Sequence, residues 1–211
     1  MGTGKDGTDG KMARMARSDI LFDGCYAHVF TRSIEKRRVF EETEDFDFFI
    51  SSLKTAKKES AFQVFYYCLM QTHFHMAVGI AKLDGFSSAM QNLKWKYTRY
   101  FNKKHKRWGP LWRERFKSML IEDERYLCAC GQYIHYNPVD AGIVNDEERW
   151  PYSSARHYHE QAGDDLIDAY ERNGLPEDID MSDPAEFTVG NIVGSDWFKF
   201  KTKKGWVSPK R

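Results

Sequence analysis

The sequence predicts an α+β fold in which an antiparallel sheet is covered by helices. Three observations support this class. Apolar and aromatic side chains alternate in several short segments, they recur every three or four positions in longer ones, and the two kinds of segment follow one another in the order βαββαβα. With 211 residues, the chain has the length of a single domain with an appendage.

The first strand, the first helix and a hairpin are predicted in the first 80 residues. Residues 26–32 alternate and contain β-branched and aromatic side chains, which is typical of a strand. Thr43 can cap the helix that follows, in which apolar side chains stand at positions 46, 49, 50 and 53. Residues 61–80 are aromatic and β-branched with an interruption at Gln71-Thr72, which predicts two strands joined there.

Two more helices and one more strand region complete the predicted domain. Apolar residues at helical spacing predict a helix over about 87–106, capped by one of the two serines at its start. Residues 111–123 favour a strand or a pair of strands. Residues 124–136 favour a helix that ends at Asn137-Pro138, because proline disrupts helical hydrogen bonding.

The two ends of the chain differ in composition from the middle. Residues 1–19 form a basic, Gly-rich segment that we expect to be disordered, residues 20–154 form the predicted domain, and residues 155–211 form an irregular appendage, acidic and then basic. Neither a signal peptide nor an apolar run of about 18–20 residues is evident, so we expect a cytoplasmic protein without a membrane partner. The four cysteines are accordingly expected to be reduced and buried.

The formal net charge of +1 arises from two blocks of opposite charge that cancel. Residues 91–118 contain ten Lys and Arg and one acid, whereas residues 157–187 contain ten acids and one base. Seven aromatic residues are interspersed in the basic block. This composition favours a surface that follows DNA phosphates and stacks on bases, although a solvated helix with some core aromatics would look the same.

His73 and His75 interrupt the second strand of the predicted hairpin. Positions two apart on a strand share a face, so both imidazoles project from one side and Phe74 from the other. Two adjacent imidazoles are half of a divalent-metal site, although two histidines with other partners would give the same pattern. His157 and His159 have the same spacing, but no apolar strand surrounds them, and we expect no site there.

A second set of polar residues lies near the end of the last predicted helix. Tyr133 and Asn137 are four positions apart and therefore project from one face of a helix. A tyrosine beside a metal site could be a nucleophile, and an Asn oxygen could complete the ligands of the metal. Packing by the tyrosine and a helix stop at Asn137-Pro138 would explain the same residues without any chemistry.

Several short segments stand out in order along residues 20–158: YCLMQTHFH (67–75), RYFN (99–102), LWRERFKS (111–118), YIHYNPV (133–139), AGIV (141–144) and WPYSS (150–154). Together they resemble the ordered landmarks of the REP-associated tyrosine transposases. These belong to the single-tyrosine HUH transposase superfamily and are IS200-like. Because several motifs occur in the right order, the resemblance is more specific than any one of them.

This resemblance implies a ferredoxin-like (RRM-like) antiparallel sheet with helices on one face and a DNA-nicking site. In such a site His73 and His75, with Asn137, bind Mg²⁺ or Mn²⁺. Tyr133 attacks the scissile phosphate and leaves a 5′-phosphotyrosine link and a free 3′-OH, which can later reverse the step without ATP. The implied substrate is single-stranded DNA folded into a hairpin, bound by a monomer or a homodimer.

The basic block would then contact the phosphates and bases of hairpin DNA. Two aromatic residues, Tyr100 and Trp112, are candidate stacking platforms. The acidic segment 157–187 could instead cover this surface as a mimic of DNA. The residues expected to follow the phosphates are Lys94, Lys96, Arg99, Lys103, Lys104, Arg113, Arg115 and Lys117.

Two residues bear on whether the site is active. Many relatives have Asn immediately before the first histidine, where this chain has Thr72. His28, on the first strand, could assist the site but is not assigned to it. Two alternatives remain open: a nucleic-acid-binding protein on the same fold without catalysis, which Thr72 would fit, and an unrelated metal protein that binds no DNA.

Overall fold

The computed structural model describes residues 20–159, 163–168, 200–202 and 205–207. Up to α3 the predicted order βαββαβα is confirmed. No helix of this described part is long and apolar enough to cross a membrane. The helices and strands are β1 (Cys25–Arg32), α1 (Thr43–Ser60), β2 (Gln63–Met70), β3 (His73–Ile80), α2 (Leu83–Lys104), β4 (Lys117–Ile121), α3 (Glu124–Asp140), α4 (Ala155–His159), β5 (Phe200–Thr202) and β6 (Gly205–Val207).

The first four strands form one antiparallel sheet in the order β2-β3-β1-β4. In the centre, β1 pairs with β3 so that Phe30 lies opposite His75, and on its other side it pairs with β4 so that Phe30 lies opposite Lys117. This order, with one helix in each βαβ half, is the ferredoxin-like arrangement, and the predicted fold class is confirmed. β5 and β6 form a separate two-stranded antiparallel sheet, and the predicted tail 1–19 lies outside the described residues.

The two faces of the sheet are covered by different helices. On one face α1 and α2 pack in a core that includes Phe49, Phe74 and Tyr97. On the other face α3 packs over a smaller core that includes Ala77 and Ile134. The expectation of helices on one face is therefore correct for α1 and α2 and wrong for α3. Successive side chains of a strand point to opposite faces of the sheet, and the central strands carry apolar side chains on both faces. Each face is therefore buried by helices.

Two helix starts differ from the sequence prediction. Glu42, rather than Thr43, caps α1, and its backbone N–H donates to the Asp45 carboxylate at 3.1 Å in a reciprocal capping box. At the start of α2, the backbone N–H of Leu83 donates to Asp23 Oδ1 at 2.9 Å, so the helix begins before the predicted serines. That acceptor lies 60 residues away, which hides it from a local sequence pattern.

The last long helix, α3, continues through Pro138 to Asp140, so the predicted stop at Asn137-Pro138 is wrong. Proline has no N–H to donate to the carbonyl of Ile134. The side-chain amide of Asn137 supplies a substitute, because its Nδ2 donates to the carbonyl oxygen of Tyr133 at 2.7 Å and to that of Ile134 at 3.4 Å. The Asn137 side chain thus provides a hydrogen bond to the carbonyl oxygen that Pro138 leaves without its usual backbone donor.

Part of the segment assigned to the C-terminal appendage packs against the sheet. Leu166 is fully buried, and the Asp168 carboxylate accepts from the backbone N–H of Val64 at 2.8 Å. Asp168 also pairs with Lys57 of α1 at 2.8 Å. The described acidic residues therefore lie beside α1, and the remainder of the proposed DNA-mimicking block 157–187 lies mostly outside the described residues.

All four cysteines are buried thiols, as predicted. Burial raises the pKa of the Cys68 and Cys130 thiols above their ordinary range. Both are therefore packing residues rather than reactive thiols.

Candidate active site

His73 and His75 project from the sheet face that α3 covers. Their ring centroids are 5.1 Å apart. Phe74, between them, points to the opposite core, where its ring centroid lies 5.1 Å from that of Phe49. The shared face predicted from strand alternation is therefore present. The His157–His159 segment, which has the same spacing, forms helix α4 instead of a strand.

A third histidine, His28 of β1, contacts this pair. Its Nε2 lies 2.9 Å from Nδ1 of His75, and the two rings stack with centroids 5.1 Å apart. His28 is completely buried. Sequence reasoning left it outside the site because 47 residues separate it from His75 and only the pairing of β1 with β3 joins them. A polar residue at an inward position of an apolar strand was the signal that could have included it.

Each histidine of the pair has its Nδ1 engaged by a neighbour. In His75 the partner is His28, and the Nε2 of His75 is buried with no hydrogen-bond partner among the described residues. In His73 the partner is the hydroxyl of Thr72, at 2.9 Å from Nδ1. Thr72, the departure from the family pattern, thus fixes the ring of His73. Both imidazoles consequently have their Nε2 left to bind a further ligand.

Burial keeps these imidazoles neutral at physiological pH. It lowers the pKa of His28 to about 3 and, together with the nearby charge of Arg32, that of His73 to about 4. Burial also lowers the pKa of His75 well below its ordinary value, and the neighbouring histidines act in the same direction. A neutral imidazole keeps the lone pair that a metal ion requires.

Tyr133 of α3 lies directly over the histidines. Its ring centroid is 5.5 Å from that of His75 and 5.9 Å from that of His28, and the ring is half-buried. Burial raises the pKa of the Tyr133 hydroxyl to about 12, while the positive charge of Arg32 and a hydrogen bond from Asn137 act in the opposite direction. The phenol is therefore protonated at neutral pH, in surroundings that contain two groups able to stabilise a phenolate.

The residues present fit a divalent metal ion held by mixed nitrogen and oxygen ligands. Within the described residues, no three His, Cys, Asp or Glu side chains are placed to hold a metal. The Nε2 of His75 is nevertheless buried without a hydrogen-bond partner in the described part of the chain, and an imidazole nitrogen of this kind suits a cation. Asn137 donates through its nitrogen to its own helix, which leaves its carbonyl oxygen as an acceptor one turn beyond Tyr133.

The ten residues predicted to contact DNA fall into three structural groups. Three are exposed on α2, three lie in or just before β4, and four are buried or engaged by other side chains. In that order the groups are Lys96, Arg99 and Lys103; Arg113, Arg115 and Lys117; and Lys94, Tyr100, Lys104 and Trp112.

Lys94 and Trp112 are buried, which does not favour the predicted contact of either residue with DNA. Lys94 is buried, and its Nζ donates to the carbonyl oxygen of Glu114 at 2.6 Å. Trp112 is 8% exposed, and its ring centroid lies 5.8 Å from that of Phe74 in the core under α2. Lys94 lies on the inner side of α2 and Trp112 in the segment between α2 and β4. The composition of a basic, aromatic segment does not show which of its side chains are buried.

Tyr100 and Lys104 are engaged within the protein. The ring of Tyr100 stacks on Phe48 with centroids 3.9 Å apart, and its hydroxyl donates to Asp45 at 3.2 Å. Lys104 pairs with Asp45 at 3.0 Å and with Glu42 at 2.9 Å. These contacts connect α2 to the start of α1, so both of these residues, predicted to contact DNA, have partners within the protein.

The exposed cations of α2 lie on the opposite side of the sheet from the histidines, because α2 packs on the other face. The nearby Trp95, which is not among the ten residues predicted to contact DNA, is 60% exposed, and the guanidinium of Arg99 lies 4.7 Å from its ring centroid. By contrast, Arg113, Arg115 and Lys117 adjoin the central strand that carries His28. The predicted basic surface is thus divided into two surfaces, one on α2 and one beside β1 and β4.

The contrast between the two tryptophans gives a stability prediction. Trp112→Ala should lower the free energy of unfolding by about 3–5 kcal/mol, because it empties part of the core. Trp95→Ala, the matched exposed control, should change it by less than about 0.5 kcal/mol. Denaturant unfolding of the two variants measures both values. Equal, small losses in both would show that Trp112 is not a core residue.

The structure has a ferredoxin-like sheet with a histidine pair on a central strand and a tyrosine on the covering helix, which is the arrangement that the resemblance to the single-tyrosine transposases implies. Residues 22–137, more than half of the chain, match the model of the family described as "Transposase IS200 like". The chain therefore belongs to the IS200-like transposase family.

One relative is similar in sequence, and one solved structure is similar in fold. A Haemophilus influenzae protein with the assigned name REP-associated tyrosine transposase is 29% identical in an alignment of 148 residues that covers 65% of this chain and 83% of the relative. A solved structure of a REP-associated tyrosine transposase bound to a REP hairpin superposes with a TM-score of 0.61 at 17% identity, covering 78% of this chain and 95% of that one. The resemblance inferred from the sequence is confirmed, and the solved structure shows the fold.

Proposed function

We propose that this protein is a metal-dependent single-strand DNA endonuclease and strand transferase that forms a 5′-phosphotyrosine intermediate at hairpin DNA. One observation carries the proposal. The ring of Tyr133 lies 5.5 Å from that of His75, over the sheet face from which His73 also projects. Membership of the IS200-like transposase family supports a DNA-processing role for this arrangement.

Tyr133 would be the nucleophile. Its phenolic oxygen attacks the scissile phosphorus, an O–P bond forms, the bond from phosphorus to the 3′ oxygen breaks, and the departing oxygen takes up a proton. Because burial raises the pKa of Tyr133 to about 12, the phenol must lose its proton as it attacks. The hydrogen bond from Asn137 and the charge of Arg32 both favour the phenolate.

His73, His75 and Asn137 would hold Mg²⁺ or Mn²⁺. When bound, the ion polarises the scissile phosphate and neutralises the negative charge that develops on it. The chain prepares the histidines for this role, because burial keeps them neutral while His28 and Thr72 occupy the Nδ1 atoms. The two rings are thereby fixed before any ligand arrives.

Hairpin DNA is the proposed substrate, and the cytoplasm the proposed location. A REP hairpin is bound by the solved relative with the same fold, which supports a hairpin here. Six of the predicted cations are at least partly exposed and are candidates to contact phosphates, and one of them, Lys117, also pairs with Glu114. The six are Lys96, Arg99, Lys103, Arg113, Arg115 and Lys117.

The proposal is tested by incubating the protein with a labelled hairpin oligonucleotide from the flanks of its own gene, in Mg²⁺ or Mn²⁺, and separating the products on a denaturing gel. A covalent protein–DNA adduct that disappears with a chelator supports the strand transferase. Salt-sensitive binding without an adduct would contradict it and favour the catalytically silent DNA-binding protein.

The contact between His28 and His75 gives a prediction about metal affinity. His28→Phe should weaken Mn²⁺ binding by about 10–100-fold, because His75 loses the partner that fixes its ring and its tautomer. His28→Gln places an amide near the former Nε2 and should restore part of this affinity. Calorimetric titration with Mn²⁺ in the absence of DNA measures the effect. Wild-type affinity in His28→Phe would exclude a positioning role for His28.

A further inference from the structure

Arg32, the last residue of β1, lies beside the candidate active site. Side chains alternate between the two faces along a strand, so Arg32 projects from the same face as His28, which lies four residues earlier. Its Cα pairs with that of His73 across the β1–β3 ladder. Arg32 therefore lies at the end of the β1–β3 ladder that carries the histidine pair.

A small cleft opens next to Arg32, between the end of β1 and the segment leading into β4. The backbone N–H of Arg113 donates to the carbonyl oxygen of Arg32 at 3.0 Å and holds this segment against β1. Four cationic side chains and one carboxylate line the cleft together with two uncharged residues. The lining residues are Phe30, Thr31, Arg32, Arg113, Glu114, Arg115 and Lys117.

Charge and size indicate what the cleft can accept. The four cationic side chains of the cleft outnumber its one carboxylate, that of Glu114, which lies 3.2 Å from Lys117, so the lining has an excess of positive charge. The volume of about 20 Å³ is sufficient for an atom the size of a water oxygen. An anionic oxygen fits both properties, and the planar fork of an arginine suits a phosphate in particular.

We propose that Arg32 and this cleft bind the scissile phosphate of the DNA strand, through a non-bridging oxygen, on the side of the histidine pair next to β4. The inference rests on the proposed function, since it names where that reaction holds its phosphate. Arg32 contacts the phosphate that Tyr133 attacks and stabilises the charge on it, while Arg113 and Arg115 hold the strand at the mouth of the cleft. The route of the DNA is then across β1 and β4 rather than along α2.

The test compares Arg32→Gln with Arg38→Gln, which removes the same charge from an exposed residue a few positions further on. Affinity for the labelled hairpin oligonucleotide is measured at several salt concentrations in the Tyr133→Phe background, so that cleavage does not interfere. Adduct formation is timed in the background with Tyr133 intact. Arg32→Gln should reduce the slope of log affinity against log salt by about 0.7, the value for one phosphate on a single strand. It should slow adduct formation by about 10²–10³-fold.

Further variants separate a structural effect from a loss of phosphate binding. Arg32→Lys keeps the charge without the planar fork, so it should keep the salt slope and recover part of the rate. Arg38→Gln should match the wild type in both measurements. Thermal unfolding of each variant checks that the fold is intact.

Different outcomes would contradict the proposal that the cleft binds the phosphate and the proposal that the protein is a strand transferase. If adducts form normally and Arg32→Gln behaves like Arg38→Gln, the cleft is not the phosphate site and the strand transferase stands. If the wild type binds the hairpin with an Arg32-dependent salt slope but forms no adduct, the cleft stands and the strand transferase fails. A wild-type protein that does not bind the hairpin overturns both.

Discussion

Tyr133→Phe should abolish the covalent adduct with DNA while leaving the affinity for hairpin DNA within about twofold of the wild type. The substitution removes only the hydroxyl oxygen, which is the atom that would form the bond to phosphorus. The ring, which lies over His28 and His75, is retained, so the packing of α3 should change little. A denaturing gel and a binding titration on the same preparation measure the two quantities.

Tyr136→Phe is the matched control for this prediction. Tyr136 lies on the same helix and is 39% exposed, so its hydroxyl is accessible yet outside the histidine cluster. This variant should form adducts at the wild-type rate. An adduct that persists in Tyr133→Phe would assign the nucleophile to another residue and defeat the proposed mechanism.

His75→Asn should lower Mn²⁺ affinity by more than about 100-fold and eliminate metal-dependent cleavage. It removes a proposed metal ligand itself, whereas changes to residues behind the ligands cost about 10–100-fold. The buried Nε2 of His75 is the atom lost, and it has no hydrogen-bond partner in the described part of the chain. Calorimetry with Mn²⁺ and the adduct gel test the two consequences.

Because His75 is buried, a second variant keeps this prediction testable if the first one unfolds. His73 is only half-buried, so His73→Asn should fold normally and lose metal affinity to a similar degree. His157→Asn, in α4, should bind Mn²⁺ like the wild type and controls for a general loss of histidine. Wild-type metal affinity in His73→Asn would show that the pair is not a metal site.

The sequence determined those features that depend on the periodicity of a single element. Alternation along β3 predicted that His73 and His75 share a face, and the rings do lie side by side. Helical spacing predicted that Tyr133 and Asn137 project together, and the two side chains interact. Such relations are fixed by local backbone geometry, so no distant residue is needed to infer them.

The tertiary structure decided which elements meet and which side of each is buried. His28 joins His75 only through the register of β1 with β3, and α2 has its first N–H capped by Asp23 from before β1. Lys94 and Trp112 look like surface residues in a basic segment but face the core beneath α2. Periodicity gives the direction of a side chain relative to its own helix or strand. Its burial and its partners depend on packing between segments that are distant in sequence, because the hydrophobic effect acts on the apolar surface of the whole chain.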